Sequence, residues 1–178
     1  DEPLTIHCRL CLTRWSIEEA MAHLQAGLCS MERLPVGPDR DRCEMELRAM
    51  LGTAHMLARG WAAPEVEQAY ARAQALADRG DHVAEAVWPL WGNCVFHLVR
   101  GDIRLAQGIG QRITTVARHA DSRLAWLVHD MLQVQLAFYS GQPTEVALWA
   151  ERVEHRFQEP ADRSLIALYS TDLLLVAR

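Results

Sequence analysis

The sequence predicts an all-α fold in which antiparallel helix pairs stack into a superhelix, an α-α solenoid. Three apolar helical stretches end at a glycine, namely Gly60, Gly101 and Gly141, and these glycines lie 40 to 41 residues apart. Apolar residues between them recur three and four positions apart, as on one face of a helix, and no segment reads convincingly as a strand. A helical repeat of this length is typical of solenoids, whose units bury their apolar faces only against each other.

We expect residues 1–178 to form a single repeat domain of a larger protein, because the chain begins at Asp1 without Met and ends at Arg178 within an apolar helical pattern. Residues 3–14 are expected to be the end of an earlier helix. The predicted units are 16–38, 39–80, 82–120 and 121–158, followed by a final helix at 161–178.

The first complete helix is predicted to begin after Ser16, which would form a capping box with Glu19 three residues later. Residues 34–38 contain two prolines and a glycine and should end it, since proline cannot continue helical hydrogen bonding. Its apolar stripe consists of Ile17, Met21, Leu24, Leu28 and Met31.

The next two helices are predicted from turn signals at their ends. One begins at or near Asp39 and runs to about Arg59, where Gly60 follows as a helix-ending residue. Pro64 fits the first position of the next helix, which extends to about Arg79, since the missing N–H of proline costs nothing there.

Four further helices follow within residues 83–158. In residues 83–100, Pro89 either kinks the helix or lies near its true start. Asp102 is a candidate N-cap for residues 103–119, and the last two helices should cover about 121–139 and 144–157.

Composition excludes several functions. A net charge of −5 argues against a nucleic-acid surface, and no apolar run is long enough to span a membrane. The chain shows no secretory signal, and its five cysteines are odd in number and irregularly spaced, which favours a reducing cytoplasm and small buried cysteines over a disulfide framework.

Neither an enzyme nor a metal site is predicted. Cys8 and Cys11 could form half of a zinc site, but Cys29 and Cys43 lie too far apart to complete it. The histidines show no spacing that would converge on a metal, and GxxxxGK[ST], GxSxG and GxGxxG are absent. We therefore expect no catalytic residues and no cofactor.

The repeat units resemble tetratricopeptide repeats. Gly52 and Gly92 occupy equivalent positions 40 residues apart, and the helices that follow carry alanines, among them Ala69, Ala73 and Ala106. Small residues on the first helix and alanines on the second match the close-approach pattern of those repeats. The units here are about six residues longer than the usual 34.

Longer phrases resemble a more specific family, the tetratricopeptide-like region of bacterial multidomain signalling ATPases. They are HLQAGL at 23–28, DRDRCEMEL at 39–47, RGWAAPEVEQAYARA at 59–73, HLVRGD at 97–102 and ADRSLIALYSTD at 161–172. The resemblance implies a neighbouring NB-ARC-like ATPase, joined to an adenylate/guanylate cyclase or a winged-helix DNA-binding domain. It ends before Ser16, where the expected alanine-rich helix is missing.

This resemblance implies a regulatory arm that binds a protein or peptide partner, or a small-molecule effector, and acts on neighbouring domains of the same chain. In tetratricopeptide arrays the first helix of each pair lines a concave groove. Transferred to this chain, that geometry gives the candidate groove residues Asn93, Phe96, His97, Trp126, His129 and Gln133.

Two other functions stay open. The chain could be a stand-alone adaptor scaffold that binds partners or forms a homodimer. It could also be an enzyme or metalloprotein that uses the N-terminal cysteines and histidines.

Overall fold

The structure is a computed structural model that describes residues 16–79, 85–158 and 162. Within these residues it contains seven helices and no strand, which confirms the all-α prediction. The predicted helices at 3–14 and 161–178, together with Cys8 and Cys11, lie outside the described residues. The helices are α1 (Ile17–Met31), α2 (Pro38–Arg59), α3 (Pro64–Ala77), α4 (Val87–Arg100), α5 (Ile103–Ala120), α6 (Arg123–Tyr139) and α7 (Pro143–Arg156).

Each helix packs against the next one in the chain, and α2 also contacts α4, as α4 contacts α6. Neighbouring helices run antiparallel. Arg59 forms an ion pair with Glu65 beside the turn between α2 and α3. Far from that turn, Arg72 binds both carboxylate oxygens of Glu44, at 2.9 and 3.1 Å.

The three glycines that mark the repeat lie at helix ends, as predicted. Gly60, Gly101 and Gly141 have φ values of 95°, 82° and 69°. Residues with a Cβ rarely adopt such angles, so glycine permits the chain to leave α2, α4 and α6 at these points.

Proline begins several helices and never interrupts one within the described residues. Pro38, Pro64 and Pro143 each lie at the first position of a helix. Pro89 is the third residue of α4, so the second of its two predicted interpretations is correct and the helix begins just before it.

The capping box predicted at Ser16 and Glu19 is not formed. Ser16 occupies the N-cap position of α1, but its side chain makes no capping hydrogen bond. Its ψ of 62° lies outside the β region that N-cap geometry requires. The Glu19 carboxylate instead lies 3.9 Å from the ring of His23, one turn along the helix.

The core depends on a close packing of three helices around Tyr70 of α3, which is fully buried. Its ring lies against Gly52 of α2 and Gly92 of α4. A Cβ atom at Gly52 would lie 2.8 Å from this ring, and one at Gly92 would lie closer still. The Tyr70 hydroxyl is 2.9 Å from that of Thr53, so its polar atom is satisfied inside the core.

None of the described helices is long and apolar enough to cross a membrane.

Replacing Gly92 with alanine should destabilise the fold by about 1–3 kcal/mol, because the added methyl group overlaps the Tyr70 ring and the core must shift. Urea unfolding monitored by circular dichroism would measure the change.

The matched control is Gly108→Ala on α5, where no atom lies within 4 Å of the added Cβ. There alanine should stabilise the helix by about 0.5–1 kcal/mol through its better helix propensity. Equal effects of the two substitutions would contradict the packing of Tyr70 between glycines.

Candidate functional site

A cleft of about 780 Å³ lies between α5, α6 and α7. Helix α6 packs against both of the other helices, so it forms the floor and they form the walls. The volume is in the range of sites that hold a small molecule or a short peptide segment.

The first wall is a polar stripe on α5. Gln107, Gln111, Thr114 and Arg118 line the cleft at spacings of four, three and four residues, which places them on one helix face. Arg118 forms no ion pair within the part of the chain that the structure describes. Arg118 is exposed and lines the cleft.

A neighbouring face of α5, about 100° around the helix from this stripe, is buried and carries three small residues beside one isoleucine. Ala106, Gly110, Ile113 and Ala117 are buried there. A Cβ atom at Gly110 would lie 2.8 Å from the side chain of Leu136.

The floor on α6 presents Trp126, His129 and Gln133 to the cleft. The indole of Trp126 meets the imidazole of His129 edge to face, with ring centroids 5.2 Å apart. On its other side His129 meets Trp149 of α7 in the same geometry at 5.6 Å. The three rings pack together and give the cleft an aromatic base.

The second wall, on α7, presents Glu145, Trp149 and Arg152. The guanidinium of Arg152 lies 4.5 Å from the Trp149 ring centroid, and that of Arg156 lies 5.8 Å from the Trp126 centroid. Both indoles therefore already contact a cation, which makes the site a poor cage for a cationic ligand.

A buried carboxylate beneath the floor orients these groups. Asp130 is fully buried and lies 2.9 Å from His129 Nδ1. Arg156 Nε donates to its second oxygen at 2.9 Å, and Arg152 lies 3.6 Å away. One carboxylate thus holds groups from both α6 and α7.

Burial by itself raises the pKa of Asp130, but hydrogen bonds from His129 and Arg156 and the positive charges of Arg152 and Arg156 outweigh it. The net result is a pKa below the ordinary value of 3.8, so Asp130 is ionised at neutral pH. Since an ionised carboxylate only accepts hydrogen bonds, His129 must carry a hydrogen on Nδ1. Its Nε2 is then left for Gln133, whose amide lies 3.5 Å away, and for a ligand.

The six candidate groove residues fall into two groups. Trp126, His129 and Gln133 line the cleft. The other three do not line it, and each has a different environment.

Asn93 donates a hydrogen bond of 2.9 Å to Gln74 of α3. Phe96 is buried in the core. His97, near the end of α4, has its Nδ1 atom 3.4 Å from Oδ2 of Asp102. The side chains of these three residues are therefore engaged within the first five helices.

The residues of both walls were not predicted from the sequence, because the predicted groove comprised only the first helix of each pair. Two patterns in the sequence could have indicated them. The polar positions of α5 from Gln107 to Arg118 form a stripe, and Trp149, Arg152 and Arg156 recur at spacings of three and four on α7. Asp130 was missed because a carboxylate adjacent to His129 in sequence reads as an exposed helix residue.

The expectation that the cysteines fill the core holds for Cys94 and is wrong for Cys29. Cys94 is buried 3.2 Å from the carbonyl oxygen of Ala106, and burial raises its pKa to about 12, which leaves it an unreactive thiol. Cys29 is exposed because it lies on the outer face of α1. The described residues contain no group of three or more His, Cys, Asp or Glu side chains that could hold a metal ion.

Replacing Asp130 with asparagine should destabilise the protein by about 2–3 kcal/mol at pH 7, because Arg156 and His129 lose a buried charged partner. The loss should depend on pH. The folded-state pKa of Asp130 is depressed, so its stabilisation is present above the unfolded pKa, near pH 4, and is lost as the pH falls through the folded pKa. Urea unfolding at several pH values between 7 and 3 would measure it.

Asp121→Asn is the matched control, since Asp121 is exposed and has a φ of 41°, which asparagine also tolerates. Its effect should stay within about 0.5 kcal/mol. A difference between wild type and Asp130→Asn that stays constant down to pH 3 would contradict an ionised, hydrogen-bonded Asp130.

Comparison with known proteins yields no relative: no family model matches the chain, and no curated protein and no solved structure is similar to it. The geometry and chemistry of the cleft are therefore the basis for a functional proposal.

Proposed function

We propose that the chain is a regulatory, protein-interaction arm of a cytoplasmic signalling protein. It binds a partner segment or effector in the cleft between α5, α6 and α7 and couples this binding to an adjacent ATPase or output domain. In this proposal the helices form a tetratricopeptide-like solenoid, with α2 and α3, α4 and α5, and α6 and α7 as its pairs.

The packing of alternate helices supports a solenoid. Helix α4 contacts α2 on one side and α6 on the other, so the first helices of successive pairs are neighbours. In a solenoid each helix pair contacts only the pairs beside it, so the first helices of successive pairs lie next to one another.

The cleft is the observation that carries the binding function. Its walls offer amide, hydroxyl and guanidinium groups, and its floor offers aromatic rings. A mixture of a few aromatic anchors with surrounding polar groups is what recognition sites for peptides and small molecules require.

Contacts at the end of α7 provide a route for coupling. Arg123, at the start of α6, donates to both carboxylate oxygens of Asp162 at 2.7 and 2.6 Å. It also donates to the backbone carbonyl of Arg156, whose side chain binds Asp130 beneath the cleft. A ligand that favours one arrangement of these groups would therefore bias the position of the chain at residue 162. Coupling between two sites requires a ligand to make different contacts in the two arrangements, and these groups could supply that difference.

Sequencing the gene on both sides of this segment would test the coupling. An upstream GxxxxGK[ST] motif, itself preceded by a cyclase or winged-helix domain, is the expected result. A reading frame that contains only further helical repeats would contradict coupling to an ATPase and leave an adaptor scaffold.

A side chain that blocks the cleft should prevent ligand binding from affecting the neighbouring ATPase or output domain. Gln111→Trp places a bulky side chain in the cleft at an exposed position of α5, so folding should be nearly unchanged. In the full-length protein we expect it to abolish the conditional change in ATP hydrolysis or transcriptional output.

Gln68→Trp, at an exposed position of α3 outside the cleft, makes the same substitution and should leave the response intact. A wild-type response from Gln111→Trp under every condition that stimulates the parent protein would contradict a functional cleft.

A further inference from the structure

The charge of the cleft differs between its two ends. The contact between Gly110 and Leu136 sets the antiparallel register of α5 and α6, and this register places Arg118, eight positions farther along α5, level with about Val128 in the first half of α6. Arg152 lies in the same half, because it contacts Asp130. Glu145, in the first turn of α7, lies at the opposite end.

The half that contains Arg118 is positively charged. Asp130 compensates one charge there, but Arg152 and Arg156 both face it, and Arg118 adds a third guanidinium group. Among the described residues that line the cleft, the carboxylate is Glu145, at the far end. A ligand that places an anionic group near Arg118 therefore meets uncompensated positive charge at the edge of a partly buried site.

The dimensions of the cleft favour an extended chain over a compact anion. Gln107 and Arg118 are eleven positions apart on α5, which corresponds to about 16 Å along the helix axis. An extended peptide of about five residues has this length. Gln107, Gln111 and Gln133 could each donate to a peptide carbonyl and accept from a peptide N–H, since a carboxamide carries both functions.

We propose that the cleft binds an extended peptide segment that carries an acidic side chain, with its carboxylate at the end formed by Arg118 and Arg152 and its backbone along the glutamines. This inference rests on the proposed function, because it names the ligand of the same cleft. The aromatic floor of Trp126, His129 and Trp149 would contact side chains of the segment that point inward.

The test uses residues 1–178 and three libraries of seven-residue peptides with acetylated N-termini and amidated C-termini. All positions are randomised among uncharged residues except one, which is glutamate, glutamine or lysine. Equilibrium binding should favour the glutamate library over the glutamine library by about tenfold, the gain expected for a charge-assisted hydrogen bond at a partly exposed site. The lysine library should bind most weakly.

Reversing the charge of Arg118 tests the proposal more directly. Arg118→Glu should abolish the preference for glutamate over glutamine and lysine, because it leaves two carboxylates beside the two guanidinium groups of Arg152 and Arg156. Arg104→Glu on the same helix makes the same charge change outside the cleft, at an exposed position, and should leave the preference unchanged. Circular dichroism of both variants would verify that the helices are retained.

The outcomes separate this inference from the proposed function. Binding that Gln111→Trp does not reduce would overturn both. Absence of binding by all three libraries would overturn the peptide ligand but not the proposed function, which also allows a small-molecule effector. Binding that Gln111→Trp blocks but that is equal for the three libraries would overturn the acidic ligand and leave a functional cleft. If N-acetylglutamate N-methylamide competes with the peptides at an equal concentration, the extended segment is contradicted and the cleft instead binds a small acidic ligand.

Discussion

The packing of Tyr70 between two glycines is the constraint on which the arrangement of the helices depends. The ring occupies space that a side chain at Gly52 or Gly92 would fill, so it determines how closely α2, α3 and α4 approach one another. Its hydroxyl is paired with Thr53, and burial raises the pKa of Tyr70, which keeps the phenol neutral inside the core. Because α6 packs on α4, the floor of the cleft is positioned through the same contacts.

The cleft arises from a second close approach of the same kind. Gly110 brings α5 against Leu136 of α6, and two of the other three buried residues of α5, Ala106 and Ala117, are small. A helix that lies this close to its neighbour directs its flanking polar residues over the neighbour's surface, which is how Gln111 comes to overhang α6. The shape of the cleft therefore depends on small residues in the buried face of α5.

The helices could be predicted from the sequence because their signals are local. Gly60 and Gly101 have positive φ and end helices, as glycines after a helix commonly do. The spacing of apolar residues identifies the buried face of each helix. The site was only partly predictable, since whether a side chain faces open space depends on what packs over it. Asn93 and Gln133 are equivalent in the repeat, yet Gln74 of α3 covers the first, whereas the second faces the cleft.

The ion network around Asp130 orients the side chains beneath the cleft more than it stabilises the fold. A buried ion pair contributes little net stability, because removing charges from water costs about as much as their attraction returns. What the carboxylate does achieve is orientation: it fixes the hydrogen on Nδ1 of His129 and holds Arg156 beneath the floor. Asp130 is fully buried, so it presents no negative surface of its own to the cleft, while Arg152 remains half exposed beside it. This arrangement keeps the guanidinium group of Arg152 at the surface and the compensating carboxylate of Asp130 buried, and the proposed acidic ligand requires such an arrangement.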